Sequence, residues 1–172
     1  MLSAELAAQI AARLSALMTE EAATLRVALG HLRAEHAALL SGDIDTLPAL
    51  AARKSEAYAR LSQLGDARSA LIARAGTQTS KEALDALFAS GPEWAACRQP
   101  FADLLALARE AHDANQSNGE MIRAQMKSSQ QALAVLMSAA EQASTYGPDG
   151  QSTTLTSRRS FGWSAWSIVR PR

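Results

Sequence analysis

The side chains that could perform acid–base or nucleophilic chemistry are few and scattered in this sequence. His31 and His36 are five residues apart and face different directions on a helix, and no glutamate stands where a His-Glu-x-x-His zinc helix needs one. Cys97 is the single cysteine, which excludes an internal disulfide and favours a buried apolar role. Glu20 and Glu21 are adjacent, so they point about 100° apart instead of converging as an acid–base pair.

A histidine phosphotransfer domain is also a helical bundle, built around one exposed histidine. Its site resembles His-x-x-Lys-Gly, whereas the sequence around His31 reads Gly-His-Leu-Arg-Ala. His36 falls on an apolar helical seam, which indicates a packed or partly solvated side chain. The sequence therefore predicts no enzyme, no metal site, no cofactor and no small-molecule substrate.

The composition strongly favours helix. Alanine fills 38 of the 172 positions, and only 5% of the residues are aromatic. Alanine, leucine, glutamine, glutamate and arginine are good helix formers, so nearly every window of the chain favours helix. A seam rich in alanine buries little area per residue, which predicts a thin core and modest stability.

The charges are unevenly placed. Residues 1–149 carry 13 Lys and Arg against 17 Asp and Glu, while residues 150–172 carry four arginines and no acid. A mildly acidic body lacks the basic face that neutralises phosphates, which argues against nucleic-acid binding. The sequence shows no signal peptide or long apolar run, and its lone cysteine fits a reducing compartment. We therefore expect a cytoplasmic protein.

Two long helices joined by a tight turn occupy the first part of the sequence. The first helix is predicted from about Ser3, which can cap it, to about Leu40. Gly42 can take the left-handed conformation that ends a helix. The second helix has a proline in its first turn and continues to about Gly76. Such a short connection requires the two helices to pack antiparallel.

A short helix and a long one follow. A capping box at Thr79–Glu82 opens the short helix, and the long helix is predicted from about Pro100 to about Ser144. At 1.5 Å per residue the long helix spans roughly 67 Å, more than a compact bundle of this mass requires. The remaining segment has no apolar period, although it contains Trp163 and Trp166.

These elements predict an all-α fold. The expected architecture is an antiparallel helical hairpin plus a long C-terminal helix, arranged as an elongated helical bundle or coiled coil with a disordered tail. The predicted domains are a helical body over residues 1–146 and a flexible, basic, tryptophan-containing tail over residues 147–172.

An apolar seam with two amides set into it runs along the last helix. Its amides either fix register within the bundle, as a seam asparagine does in coiled coils, or bond a guest helix. Its large apolar side chains either belong to the core or form a surface for another protein, and methionine favours the second interpretation because it repacks against varied partners. The candidate binding residues are Asn115, Asn118, Met121, Ile122, Met126, Leu133, Leu136 and Met137.

Three motifs resemble those of the FlgN-type flagellar export chaperones. Leu-Leu-Ser-Gly-Asp-Ile-Asp-Thr-Leu at residues 39–47 resembles the turn of that family's first helical hairpin. Ala-Asn-Gln-Ser-Asn-Gly at residues 114–119 and Tyr-Gly-Pro-Asp-Gly-Gln at residues 146–151 resemble its long last helix and the exit from it. Their order and spacing agree over roughly residues 1–155.

The resemblance implies a cytosolic, non-enzymatic chaperone for the hook–filament junction proteins of the FlgK and FlgL types. Members of this family bind the amphipathic C-terminal helices of these proteins and deliver them unassembled to the flagellar type III export gate. The tyrosine matched by Tyr146 contacts the FlhA-type platform of the gate, so the resemblance implies gate docking for Tyr146. It implies no role for the aromatic segment at residues 161–169.

Two other functions remain as alternatives. A structural coiled-coil protein would associate with itself through the same seam and show no cargo preference. A peripheral membrane protein would use the tryptophans and arginines of the tail at an anionic surface. Liposome sedimentation of the intact chain, compared with a chain ended at Gly150, separates the membrane alternative from the others.

Overall fold

The computed structural model describes residues 3–145, with side chains described for residues 3–141. Within that range the chain forms four α-helices and one 3₁₀ helix and no strand, so the all-α prediction is confirmed. The elements are α1 (Ala4–Ser41), α2 (Leu47–Arg74), α3 (Lys81–Ala89), the 3₁₀ helix (Pro92–Cys97) and α4 (Arg98–Thr145). None of the described helices is long and apolar enough to cross a membrane.

The first helix begins and ends as its local sequence predicts. Ser3 has extended backbone, and its hydroxyl accepts a hydrogen bond from the Leu6 N–H, which satisfies one of the free donors of the first turn. At the other end, Gly42 has a φ of 71°. In this left-handed conformation a side chain would be strained, so glycine suits the position.

The first two helices form the antiparallel hairpin that the short turn predicts. Glu35 on α1 pairs with Lys54 on α2, and Glu21 on α1 pairs with Arg68 on α2. From Lys54 to Arg68 the chain advances by 14 residues, while the partner on α1 moves back by 14. The two helices therefore keep one register over four turns.

The chain divides into two compact units, Met1–Gln125 and Met126–Arg172. In the first unit, the segment that contains the start of α4 runs parallel to α1. Cys97 donates to the Ala11 carbonyl, Asn118 to the Leu32 carbonyl and Gln125 to the Leu39 carbonyl, and each pair is 86 residues apart in sequence. A constant offset means that this segment stays in register with α1 without drift.

The core of the first unit lies between α1, α2, α4 and the short elements that precede α4. Phe88 of α3 and Phe101 of α4 meet edge to face with ring centroids 5.4 Å apart. Trp94 of the 3₁₀ helix is also buried. The core side chains are Ala7, Ile10, Ala11, Leu14, Met18, Ala22, Leu25, Leu29, Leu32, Ile72, Leu84, Phe88, Trp94, Cys97, Phe101, Leu104 and Ala111.

Two local predictions are shifted in the structure. The N-cap of α3 is Ser80, whose hydroxyl accepts from the Ala83 N–H. The capping box predicted at Thr79–Glu82 therefore does not form. Both hydroxyls fit the cap, and the choice of the second places Glu82 one position too early to bond back. Helix α4 begins at Arg98 instead of Pro100 because it follows the 3₁₀ helix directly.

The second unit is described over residues 126–145, which belong to α4. All the side chains described in this unit, from Met126 to Glu141, are exposed. The predicted disordered tail, residues 147–172, lies outside the described residues, so that domain boundary stays a prediction.

Candidate binding surface on the last helix

A buried amide on α4 is hydrogen-bonded to α1 within one polar cluster. Asn118 is 2% exposed, and its amide nitrogen donates to the Leu32 carbonyl (2.8 Å) and to Glu35 Oε2 (2.9 Å). The amide oxygen can only accept, so the Nδ1–H of His36 donates to it at 3.0 Å. Each polar atom of the Asn118 side chain therefore has a partner inside the first unit.

A buried ion pair completes this cluster. Lys54 Nζ lies 2.7 Å and 2.8 Å from the two carboxylate oxygens of Glu35, which is buried on α1. Burial, together with the negative charge of Glu35, raises the pKa of the nearby Tyr58. Because a buried charge is costly without a partner, Lys54 and Asn118 together make this position of Glu35 tenable.

Of the two roles predicted for the amides of the seam, the geometry of Asn118 favours fixing the register of the bundle over bonding a guest helix. The cluster links α1, α2 and α4 at one level, and sliding α4 by a turn would leave the buried Asn118 amide without its partners and remove one hydrogen bond from Glu35. Sequence reasoning missed Glu35 and Lys54. A signal was present, since Glu35 lies three residues after Leu32 and four before Leu39, on the apolar face of α1.

The other candidates in the first unit lie at its surface. Asn115 is exposed, whereas Met121 and Ile122 are half-buried. Asn115 and Ile122 line a cavity of about 300 Å³ that Glu35 and Lys54 also line. The structure thus places Asn115, Asn118 and Ile122 around one polar site, while Met121 is not among the residues that line it.

An exposed apolar stripe lies on the described part of the second unit. It consists of Met126, Leu133, Leu136 and Met137, whose exposed fractions range from 57% to 67%. Their spacing of seven, three and one residues places the four side chains on one face of a helix. Because large apolar side chains are rarely left together in water, such a stripe indicates a surface for another chain.

The residues considered for catalysis are not assembled into a site in the described part of the chain. His31 is half-buried on α1, and Cys97 lies in the core. Residues 3–145 contain no group of three or more His, Cys, Asp or Glu placed to hold a metal ion. Tyr146, the predicted gate-docking residue, lies outside the described residues.

Cys97 is expected to react slowly with thiol reagents in the folded protein. Its Sγ is fully buried, donates to the Ala11 carbonyl at 3.3 Å, and burial raises the pKa of the thiol to about 11. At pH 8 the thiolate fraction is then roughly 200-fold below that of a free cysteine with a pKa near 8.5. We expect alkylation by iodoacetamide at least ~100-fold slower than in guanidinium. Equal rates in the two solvents would show that the thiol is accessible.

The comparisons with known proteins give one match. The family model described as FlgN protein matches residues 6–154 of the chain. The match covers α1 to α4 and continues past the last described residue. No match was found among curated proteins or among solved structures.

Proposed function

The chain belongs to the FlgN family of flagellar export chaperones, and we propose that its cargo is the C-terminal helices of FlgK- and FlgL-type junction proteins. FlgN is a family of chaperones and not of enzymes, and membership implies binding of flagellar export substrates. In this proposal the protein covers the cargo helices in the cytoplasm, prevents their assembly, and delivers them to the FlhA-type platform of the export gate.

The exposed apolar stripe on α4 is the observation that carries the proposal. A protein whose terminal helices polymerise must have its own apolar faces covered until export. A helix with large side chains on one face can cover such a face by packing helix against helix. Met126 and Met137, at the two ends of the stripe, can adapt to cargo helices of differing sequence.

The size of the stripe suits a complex that must later come apart. Burying a fully exposed leucine or methionine side chain contributes about 1.5–3 kcal/mol. The four side chains of the stripe are 57–67% exposed, so covering them contributes roughly 4–7 kcal/mol before the costs of association. With contacts from the flanking residues, we expect micromolar to nanomolar affinity, about −8 to −12 kcal/mol. Binding in this range is firm enough to hold cargo and weak enough to release it.

The candidates of the first unit take different parts in this proposal. Asn118 is bonded within the bundle and would act by fixing the register of α4. Asn115 is exposed and its side chain is free to bond a cargo helix, and Met121 and Ile122 offer partial apolar surfaces. The main cargo contact is assigned to Met126, Leu133, Leu136 and Met137.

Replacing Leu133 with aspartate is expected to weaken cargo binding by ~2 kcal/mol, about 30-fold, because a charge enters an apolar contact. Gln131→Asp is the matched control, since residue 131 is exposed and lies about 160° around the helix from residue 133. Titration calorimetry with the C-terminal segment of a FlgK-type protein measures both affinities. Equal losses in the two variants would place the cargo site elsewhere.

Self-association through the same stripe is the second candidate function, because one exposed seam can also pair with its copy. Sedimentation equilibrium of the isolated protein separates the two. A stable oligomer that Leu133→Asp dissociates, and that cargo segments do not displace, would support the structural coiled-coil function. The peripheral membrane alternative depends on the tail, outside the described residues.

A further inference from the structure

The end of α1 and the turn that follows it carry two large apolar side chains that the fold does not use. Gly42 supplies the left-handed residue, and Asp43 Oδ1 accepts from the Thr46 N–H at 3.3 Å, so the turn geometry explains Gly42 and Asp43. Leu40 and Ile44 are each 70% exposed. Neither side chain contributes to the turn or to the core.

A groove of about 760 Å³ lies beside this turn, between the end of α1 and the start of α2. On α1 its wall is formed by Ala34, Ala37, Ala38 and Ser41, which follow the spacing of one helix face. Small side chains let the backbone of another helix approach closely. The wall on α1 is therefore shaped for helix packing.

The wall on α2 is also formed by one face of its helix, and it adds an apolar side chain. Ala49, Leu50 and Arg53 line the groove from that side, and Leu50 is half-buried. The face on α1 spans about two turns and the face on α2 just over one turn, so they enclose a channel of about 6 to 10 Å in length at 1.5 Å per residue. An extended strand would find no free backbone groups here, because both walls are helices whose backbone groups are already bonded. The channel fits a short helix.

The charge at the turn end of the groove indicates which charge the bound helix should carry. Asp43 and Asp45 both line the groove, and neither forms an ion pair in the part of the chain that the structure describes. Arg53, the cation in the same lining, lies about 9 Å along α2 from the start of that helix, so the charge at the turn end is negative. Two unpaired carboxylates beside an apolar channel complement a cationic side chain flanking an apolar helix face. The exposed Leu40 and Ile44 extend the apolar surface at the same end of the hairpin.

We propose that the hairpin groove, lined by residues 34–53, is a second docking surface that binds an amphipathic helix of another protein. The bound helix is two to three turns long, with leucine or methionine on the face that enters the groove and lysine or arginine at the end next to Asp43 and Asp45. The residues that line this surface differ from those of the apolar stripe at residues 126–137, and the proposal does not depend on the identity of the export cargo.

The test uses synthetic helical peptides of about 15 residues with a leucine face and two lysines near one end, compared with peptides that have glutamine or glutamate in place of the lysines. Binding to the full chain is measured by fluorescence anisotropy, and the site by amide chemical shifts. We expect the lysine peptide to shift the amides of Ala37 and Ala49 and to bind about 5-fold more tightly than the glutamine peptide, as expected for two surface charge pairs.

Two variants fill or recharge the groove. The phenyl ring of Ala37→Phe fills the channel, so this variant is expected to bind the lysine peptide at least ~10-fold more weakly. Ala12→Phe, the same change at an exposed position elsewhere on α1, leaves its affinity unchanged. Asp45→Lys is expected to reverse the order of affinity, so that the glutamate peptide binds more tightly than the lysine peptide.

Equal affinities for the three peptides would overturn the proposal, as would equal affinities in the Ala37→Phe and Ala12→Phe variants. Loss of peptide binding in Leu133→Asp with no loss in Ala37→Phe would assign the peptide to the stripe on α4, and would also overturn it. Failure here leaves the cargo function of the stripe untouched, because that function is measured with a different ligand and a different variant.

Discussion

Replacing Lys54 with alanine is expected to lower the free energy of unfolding by about 3 kcal/mol, because it leaves the buried carboxylate of Glu35 without its cation. The two oxygens of Glu35 accept from Lys54 Nζ at 2.7 Å and 2.8 Å, and the remaining hydrogen bond from Asn118 cannot neutralise the charge. Urea unfolding followed by circular dichroism measures the loss as a shift of the midpoint at constant slope.

An exposed ion pair between the same two helices provides the control. Arg60 on α2 pairs with Glu20 on α1, and both side chains are about half exposed. Arg60→Ala is therefore expected to cost less than 1 kcal/mol. The double variant Glu35→Met with Lys54→Met is expected to recover most of the stability that Lys54→Ala loses, because it removes both charges and fills the space. Similar losses of unfolding free energy in Lys54→Ala and Arg60→Ala would mean that the buried pair stabilises the fold no more than the exposed pair does.

The hairpin could be predicted from sequence because its signals are local. Ser3 caps the first helix and Gly42 ends it, and both signals act within one turn of the residues that carry them. The shift of the α3 cap from Thr79 to Ser80 shows the limit of such signals, since two adjacent hydroxyls are equally able to cap. Local chemistry predicts that a helix begins there, but it does not decide which of the two hydroxyls caps the helix.

The polar cluster could not be predicted, because its members are far apart in sequence. Asn118 and Glu35 are 83 residues apart, and their meeting depends on α4 running parallel to α1 with a constant offset. The apolar periodicity places Asn118 on the seam of its helix, but it does not identify the residues that Asn118 contacts. The same limit applies to the stripe: one continuous pattern predicted both Asn118 and Leu133, and the structure shows the first side chain buried and the second exposed.

Tyr146→Ala is expected to abolish or shorten flagellar filaments while the affinity for the cargo helix stays within about twofold of the native value, a change of ~0.4 kcal/mol. Tyr146 directly follows α4 in sequence and precedes Gly-Pro-Asp-Gly, a combination that favours a turn. An aromatic ring with a hydroxyl suits a transient dock to a second protein, which we propose is the export gate. Cargo affinity by calorimetry and secreted junction protein by immunoblot are measured in the same variant.

Two further variants separate docking from the other roles that a tyrosine could have at this position. Tyr146→Phe keeps the ring and is expected to preserve most of the secretion, whereas Leu133→Asp is expected to lose cargo affinity and secretion together. A tyrosine that only packs against the last turn of its helix would cost ~1 kcal/mol of stability on replacement and produce no separate export defect. Equal losses of affinity and secretion in Tyr146→Ala would assign the residue to the cargo site. Normal secretion in that variant would exclude it from docking, because a chaperone that holds its cargo but cannot reach the gate must fail at secretion alone.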